Sequence, residues 1–332
     1  MKILLGTPIR ASPRPWLEFL GILDVPVMVS AYELVKVRPM NRDSPLHTML
    51  QHSGEIWVDS GGYQFLSRGV LIEVDEVARV YSEFWDASTY LSIDYPPSPT
   101  DDPHDAEAKF RRSLANYVKL GKLMEREGIE VTPIIHYYRD EGIVNRYLKA
   151  IIDLNPHMIA IGGLVPYILV VRNVPKGSRF RALSFIQRVV NEYGGIVHVL
   201  GLGSPSITPI LELLGVHSTD TSTWRVKAAY GKVLLPGGGE RHVTGREVNF
   251  GKRIIDDEEV KYLGDFLRET KFPYLDKYPE YMRTSFEYRA LINAWVVLLS
   301  RGEPRAGVFK KIYRSIRMQG LKALVSTPSG SA

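Results

Sequence analysis

The feature that most constrains this chain is an alternation. From residue 2 to about residue 236, short β-rich apolar runs are separated by helical stretches with spaced apolar residues. Repeated βα units of this kind build parallel sheets. The strand candidates are Ile3–Leu5, Val25–Ser30, Ile56–Asp59, Tyr90–Asp94, Val131–His136, Met158–Gly162, Val197–Gly201, Val216–Asp220 and Val233–Leu235. Between them, apolar spacing predicts helices over Trp16–Leu23, Val74–Trp85, Asp105–Glu127, Gly142–Leu154, Ala182–Tyr193, Ile207–Leu214 and Thr223–Tyr230. Roughly eight such repeats most often close into a (β/α)8 barrel, with an open doubly wound sheet as the alternative, because periodicity does not report closure.

Past Pro236 the pattern changes. Gly237-Gly238-Gly239 is a break, and the remainder is long helical sequence, Glu258–Phe272, Glu280–Ser300 and Ala306–Leu324, without obvious paired strands. The expected division is a catalytic barrel over 1–236, a helical C-terminal extension over 237–326 and a disordered tail over 327–332. Arg305, Lys310, Lys311, Arg314, Arg317 and Lys322 fall along the last helical segment with no acidic residue among them. Such a face is either solvated or a contact to a phosphate backbone.

The 332 residues contain no cysteine, which excludes disulfides, thiolate zinc sites and a cysteine nucleophile. An apolar content of 45% with 24% charged residues is ordinary for a soluble enzyme, and no stretch has the length of a membrane span. The first residues, Met1-Lys-Ile-Leu-Leu-Gly-Thr-Pro8, read as a first strand in place of a signal peptide, so a cytoplasmic location is expected. A net charge of +5 is compatible with a polyanionic partner and does not select one.

The chemistry concentrates at strand ends. In Glu55-Ile-Trp-Val-Asp-Ser-Gly-Gly-Tyr-Gln64 a buried-strand pattern runs into Asp59 and then into two glycines that let a ligand approach closely. The same Asp-Ser-Gly-Gly run is also good turn chemistry, so Asp59 is either a working group or a cap. Asp94, His136, Gly162-Gly163, Gly201 and Asp220 end other strands, where this fold assembles its active site. The proline-rich run Tyr95-Pro-Pro-Ser-Pro99 after Asp94 would hold that carboxylate still. No nucleophile elbow or Walker loop is present, and Gly201-Leu-Gly-Ser-Pro-Ser206 lacks the third glycine of a dinucleotide fingerprint. Carboxylate chemistry remains, and paired carboxylates can divide attack and proton transfer at a glycosidic carbon.

The order of motifs resembles the tRNA-guanine transglycosylases, which exchange guanine for a 7-deazaguanine base. Val58-Asp-Ser-Gly-Gly-Tyr-Gln64 is similar to that family's Asp-Ser-Gly-Gly-Phe-Gln signature, and Ile93-Asp-Tyr-Pro-Pro97 to its second base-binding aspartate. Ala160-Ile-Gly-Gly-Leu164 resembles its Gly-Gly-Leu loop, Leu200-Gly-Leu-Gly-Ser-Pro205 its Gly-x-Gly-Thr-Pro turn, and Leu214-Gly-Val-His-Ser-Thr-Asp220 its nucleophile strand. The resemblance spans about residues 50–236 and implies a role for each matched group. Asp220 would attack the sugar C1′ and Asp59 would bind the base and move protons. Ser60, Tyr63, Asp94, His136, Gly162, Gly163 and Leu164 would form the base pocket. Arg225 and Lys227, just beyond that strand, either bind flanking phosphates or make surface salt bridges; Lys310, Lys311 and Arg314 are the phosphate candidates that the charge of the last helical segment offers.

Two departures from that family stand out. Ile135-His-Tyr-Tyr138 replaces a Gln-Gly-Gly context, so His136 takes over a base contact or selects another base. The family's structural zinc site needs three thiolates, so no metal or cofactor is expected here. Asp220-Thr-Ser-Thr-Trp224 looks more like the related enzymes that insert 7-deazaguanine into DNA. The expected partners are therefore nucleic acid, DNA ahead of tRNA, a 7-deazaguanine base and a second copy of the chain. Two rival readings are a catalytically silent nucleic-acid-binding subunit, which needs neither Asp59 nor Asp220, and an unrelated barrel glycosidase, which favours Glu and sugar-stacking Trp.

Overall fold

The computed structural model describes residues 1–62, 69, 72–169, 174–175, 177–245, 253–305 and 307–319. Its main sheet is built from β1 (Lys2–Gly6), β2 (Val27–Ser30), β3 (Ile56–Asp59), β4 (Thr89–Leu91), β5 (Val131–Thr132), β6 (Ile134–His136), β7 (Met158–Gly162), β8 (Ile196–Val199) and β9 (Ser218–Thr221). All pairings are parallel, in the order β5-β4-β3-β2-β1-β9-β8-β7-β6. Because β1 lies between β2 and β9, the first and last strands are neighbours, as in a ring and unlike an open doubly wound sheet. The two ends of the order, β5 and β6, are consecutive pieces of one chain crossing. Pro133 separates them because it has no N–H to give the ladder, while its carbonyl still accepts Ala160 N–H at 2.9 Å. Nine segments minus one such split leave eight strands, a (β/α)8-type barrel.

The strand period of two sorts the barrel interior into layers. Leu4, Met28, Trp57, Leu91, Ile134, Met158 and Ala160 form an apolar plug inside the ring. Two residues further along their strands stand Gly6, Ser30, Asp59, His136 and Gly162, and these line an open cavity above the plug. The site is thus the next inward position after the plug on strand after strand.

Outside the ring lie helices at Val74–Glu83, Pro103–Met124, Glu141–Ile152, Ser178–Tyr193, Thr208–Leu213 and Thr223–Ala229. Two start at side-chain caps: Asp102 accepts from Asp105 N–H and Asp140 from Ile143 N–H. The first predicted helix is shorter than expected, Pro15–Glu18.

The expected ninth barrel strand at Val233–Leu235 does not join the ring. Lys232–Leu234 (β10) pairs antiparallel with Glu240–His242 (β11), a short strand that apolar patterning missed. The intervening Gly-rich stretch is the turn of this hairpin. The long helix expected over Glu280–Ser300 divides at Ser285, whose side chain caps Phe286–Leu299 by accepting Tyr288 N–H. Phe286–Leu299 is apolar nearly all round and shares a hydrophobic core with β1, β2 and β3. Asn293 ties it to the hairpin, accepting Leu234 N–H at 2.7 Å and donating to Lys232 and Trp224 carbonyls at 3.1 Å each. The last helix is described over Gly307–Gln319, and Ile312, Tyr313 and Ile316 pack it against the other side of the barrel. Lys322 and the expected disordered tail lie outside the described residues. Among the described residues no helix is long and apolar enough to cross a membrane.

Candidate active site

The cavity at the C-terminal strand ends, about 790 Å³, is walled by Asp59, Asp94, His136, Gly162, Gly163 and Asp220 among others. Strands from around the ring and the loop after β4 deliver these groups to one place. Pro96, Pro97 and Pro99 form a stiff wall beside Asp94. Ser60 and Leu164 are fully buried and do not line the cavity; the Leu164 side chain belongs to the outer core. Tyr63 lies outside the described residues. Glu33, which the motifs did not point to, also faces the cavity, and its Oε2 accepts Ile9 N–H at 2.9 Å.

The glycines after Asp59 have steric reasons. Gly61 sits at φ +76°, with its N–H donating to Asp59 Oδ2 at 3.0 Å, and a Cβ on Gly62 would lie 2.7 Å from the Asp94 carbonyl oxygen. The Asp59–Gly61 bond is itself a local turn, so the capping and catalytic readings of Asp59 describe the same residue.

Asp59 is the electrostatically unusual group. Burial, then the nearby Asp94 carboxylate, and more weakly that of Asp220, push its carboxyl from 3.8 up to about 7, against the pull of the Gly61 and Ser60 N–H groups. A carboxyl at that value both gives and takes a proton at neutral pH. The same shift makes stability depend on pH. The folded-state value lies above the unfolded one, so the stabilising contribution is complete below about pH 4 and is lost as pH rises through about 7. Relative to Asp59→Asn, the wild type should lose up to roughly 1.4 kcal/mol per pH unit across that window. Denaturant unfolding of both proteins at about pH 5 and about pH 8 checks it, and a pH-independent difference would contradict it.

His136 is 1% exposed, and its Nε2 lies 3.1 Å from Asp94 Oδ2. The geometry is poor for a hydrogen bond, so both ring nitrogens are buried without a hydrogen-bond partner at the cavity wall. A Cβ on Gly162 would meet His136 Nδ1 at 2.7 Å, so only glycine leaves the imidazole its place.

Asp220 sits on β9 opposite Leu4 of β1. Its Oδ1 accepts Gly201 N–H at 2.8 Å, and His198 Nε2 lies 3.3 Å from the same oxygen. His198 went unnoticed in the sequence because it lies in the plug layer, one inward position below the strand end. The signal available was a lone histidine in the apolar run Ile196-Val-His-Val199.

The expected phosphate contacts stand apart from this cavity's lining. Lys227 is ion-paired with Glu240, which also holds the fully buried Lys232 at 2.6 Å. Arg225 packs over the Phe286 ring at 5.5 Å, and its Nε is buried without a hydrogen-bond partner. Glu303, just before the basic helix, pairs with Arg314 at 2.7 Å and Lys310 at 3.6 Å, so that helix is less uniformly positive than its own residues suggest. Lys311 is exposed. The family-type zinc site does not fit this chain. Thiolates are lacking, and among the described residues the one group of three candidate metal-binding side chains is the exposed Asp102, His104 and Asp105.

The fold and site together define an α/β barrel with a multi-carboxylate centre at its C-terminal strand ends. No protein-family model matches the chain. Its sequence is similar to archaeal tRNA-guanine(15) transglycosylases. It is 25% identical to that of Pyrococcus furiosus over 223 residues and 24% identical to that of Nanoarchaeum equitans over 217 residues, 63% of this chain in each case. The chain spans 35% and 49% of the length of those two proteins. It is also 25% identical over 280 residues, 82% of its length, to "Uncharacterized protein 306" of Sulfolobus islandicus rod-shaped virus 1. These matches are distant similarities, at about 25% identity or less, to tRNA-guanine(15) transglycosylases.

Proposed function

We propose that the protein exchanges a guanine in nucleic acid for a free 7-deazaguanine base through a covalent aspartyl–sugar intermediate. The observation that carries this reading is the convergence of Asp220 and Asp59 in one cavity, where burial and the Asp94 carboxylate push the Asp59 carboxyl up to about 7. Asp220 attacks C1′ of the target nucleotide. The C1′–N9 bond breaks, its electron pair leaves with guanine, and Asp59 gives that base a proton. The incoming base then loses its ring N–H proton to Asp59 and attacks C1′, and the C1′–oxygen bond returns its electrons to Asp220. Each proton taken is given back, so the cycle balances without a metal or redox cofactor.

Asp94, His136 and the Gly162-Gly163 backbone supply the polar edge for the base. His136 Nδ1, buried without a hydrogen-bond partner, supports that role, because a heterocycle edge would satisfy it. For the polymer, DNA is the first reading, on the Asp220-Thr-Ser-Thr-Trp224 sequence. The names of the archaeal relatives favour tRNA as the second reading. Incubation with radiolabelled guanine and either duplex DNA or bulk tRNA tests both, since label should enter one polymer. Label in neither would defeat the proposal.

The basic helix enters as a phosphate contact. Replacing Lys310, Lys311 and Arg314 with Gln should weaken polymer binding and flatten its dependence on salt, by about one log–log unit for each phosphate no longer neutralised. An unaltered slope would make the helix a solvated face, its charge already answered in part by Glu303.

A further inference from the structure

Among the apolar residues of the plug under the cavity stand buried polar groups. His198 and Ser218, neighbours in the β8–β9 ladder, are both buried there, and each costs free energy unless its polar atoms are bonded. They bond to each other, His198 Nδ1 to Ser218 Oγ at 2.8 Å, and onward to the carboxylate above, His198 Nε2 to Asp220 Oδ1. The Trp57 ring, 4.9 Å away at its centroid, closes the side of the imidazole.

The direction of this chain follows from the chemistry of its ends. A carboxylate oxygen only accepts, so the Nε2 of His198 carries a proton, while Nδ1 holds the ring to the Ser218 hydroxyl. Oδ1 of Asp220 therefore has two donors, His198 Nε2–H and Gly201 N–H. Oδ2 is the oxygen left for the cavity.

We infer that His198, held by Ser218, is a positioning residue that makes Oδ2 the attacking atom and governs the breakdown of the aspartyl ester. This inference rests on the reading of Asp220 as nucleophile. Oδ2 forms the bond to C1′ and Oδ1 becomes the ester carbonyl oxygen. When the incoming base attacks C1′ and the C1′–Oδ2 bond breaks, negative charge returns to the carboxylate. The two donors on Oδ1 are already in place to receive it, and fixed donors aimed at developing charge lower the barrier to the step that develops it. They stabilise the free carboxylate more than the ester. Loss of His198 should therefore favour the ester, slowing its breakdown more than its formation.

The test measures the covalent adduct and turnover together, in the full-length protein with the polymer that takes up label and a fixed concentration of guanine. In His198→Leu turnover should fall about 10- to 100-fold while the fraction of protein trapped as adduct rises. His198→Gln, whose amide can donate in place of Nε2–H, should recover much of the turnover and return the adduct to its ordinary level. Ser218→Ala removes only the hydroxyl that orients the ring, and should shift both quantities in the same direction as His198→Leu by a smaller factor. It serves as the deciding variant if His198→Leu does not fold. A parallel loss of adduct and turnover in folded variants would overturn the inference, as would wild-type values in Ser218→Ala. If the wild type itself forms no adduct on Asp220, the nucleophile assignment fails, and the inference fails with it.

Discussion

Asp220→Asn should lower base exchange by about 10⁴-fold or more, to the background of the assay, while the protein stays folded. The size of the effect follows from the step removed: an amide is a poor nucleophile and a poor leaving group, so neither half of the exchange has a substitute path. The fold should survive because Asn keeps an acceptor for the Gly201 N–H and for His198 Nε2. Asp220→Ala would instead leave the buried imidazole with an unbonded nitrogen, a cost of about 1–3 kcal/mol that confuses activity with stability. Asparagine is therefore the cleaner variant, checked by guanine incorporation alongside a thermal melt.

Asp59→Asn should be the next most damaging change, lowering turnover by about 10²- to 10⁴-fold, the range for loss of a positioned acid–base group. The wild-type rate should also depend on a group near pH 7, because burial and the Asp94 charge hold the Asp59 carboxyl there. On the proposed mechanism, protonated Asp59 serves the leaving base and ionised Asp59 the incoming one. The profile should consequently turn over near neutrality and lose that inflection in the variant. The same substitution should stabilise the fold at high pH, where the wild type must bury a charge beside two other carboxylates. An Asp59→Asn enzyme with an unchanged profile would show that another group moves the proton.

The barrel was largely legible in the sequence, because each βα unit carries its own period. What periodicity could not show was closure, and it treated Val131–His136 as one strand although Pro133 interrupts the ladder there. It also placed Val233–Leu235 in the ring. An apolar three-residue run has no way to signal that its partner is the polar Glu240–His242. The upper layer of the candidate site stood out in the sequence because Asp59 and His136 end strands and break apolar runs there, whereas Asp220 lies in the polar run His217-Ser-Thr-Asp-Thr221 and stood out only through its motif. His198 and Ser218 sit one layer lower, where their roles depend on which strands adjoin, and adjacency of β8 to β9 is a tertiary fact. Glu303 escaped for the same reason, since its pairing with Arg314 is made across the turn before the last helix.

The central claim, that Asp220 holds the sugar covalently, is tested most directly by intact-mass measurement. The protein is mixed with a guanine-containing oligonucleotide of the polymer that takes up label, without added base, and quenched in denaturant. A mass increase equal to the oligonucleotide less its guanine, mapped by proteolysis to the peptide bearing Asp220 and absent in Asp220→Asn, is the predicted result. Turnover with no such adduct, or an adduct on a different residue, would contradict the account.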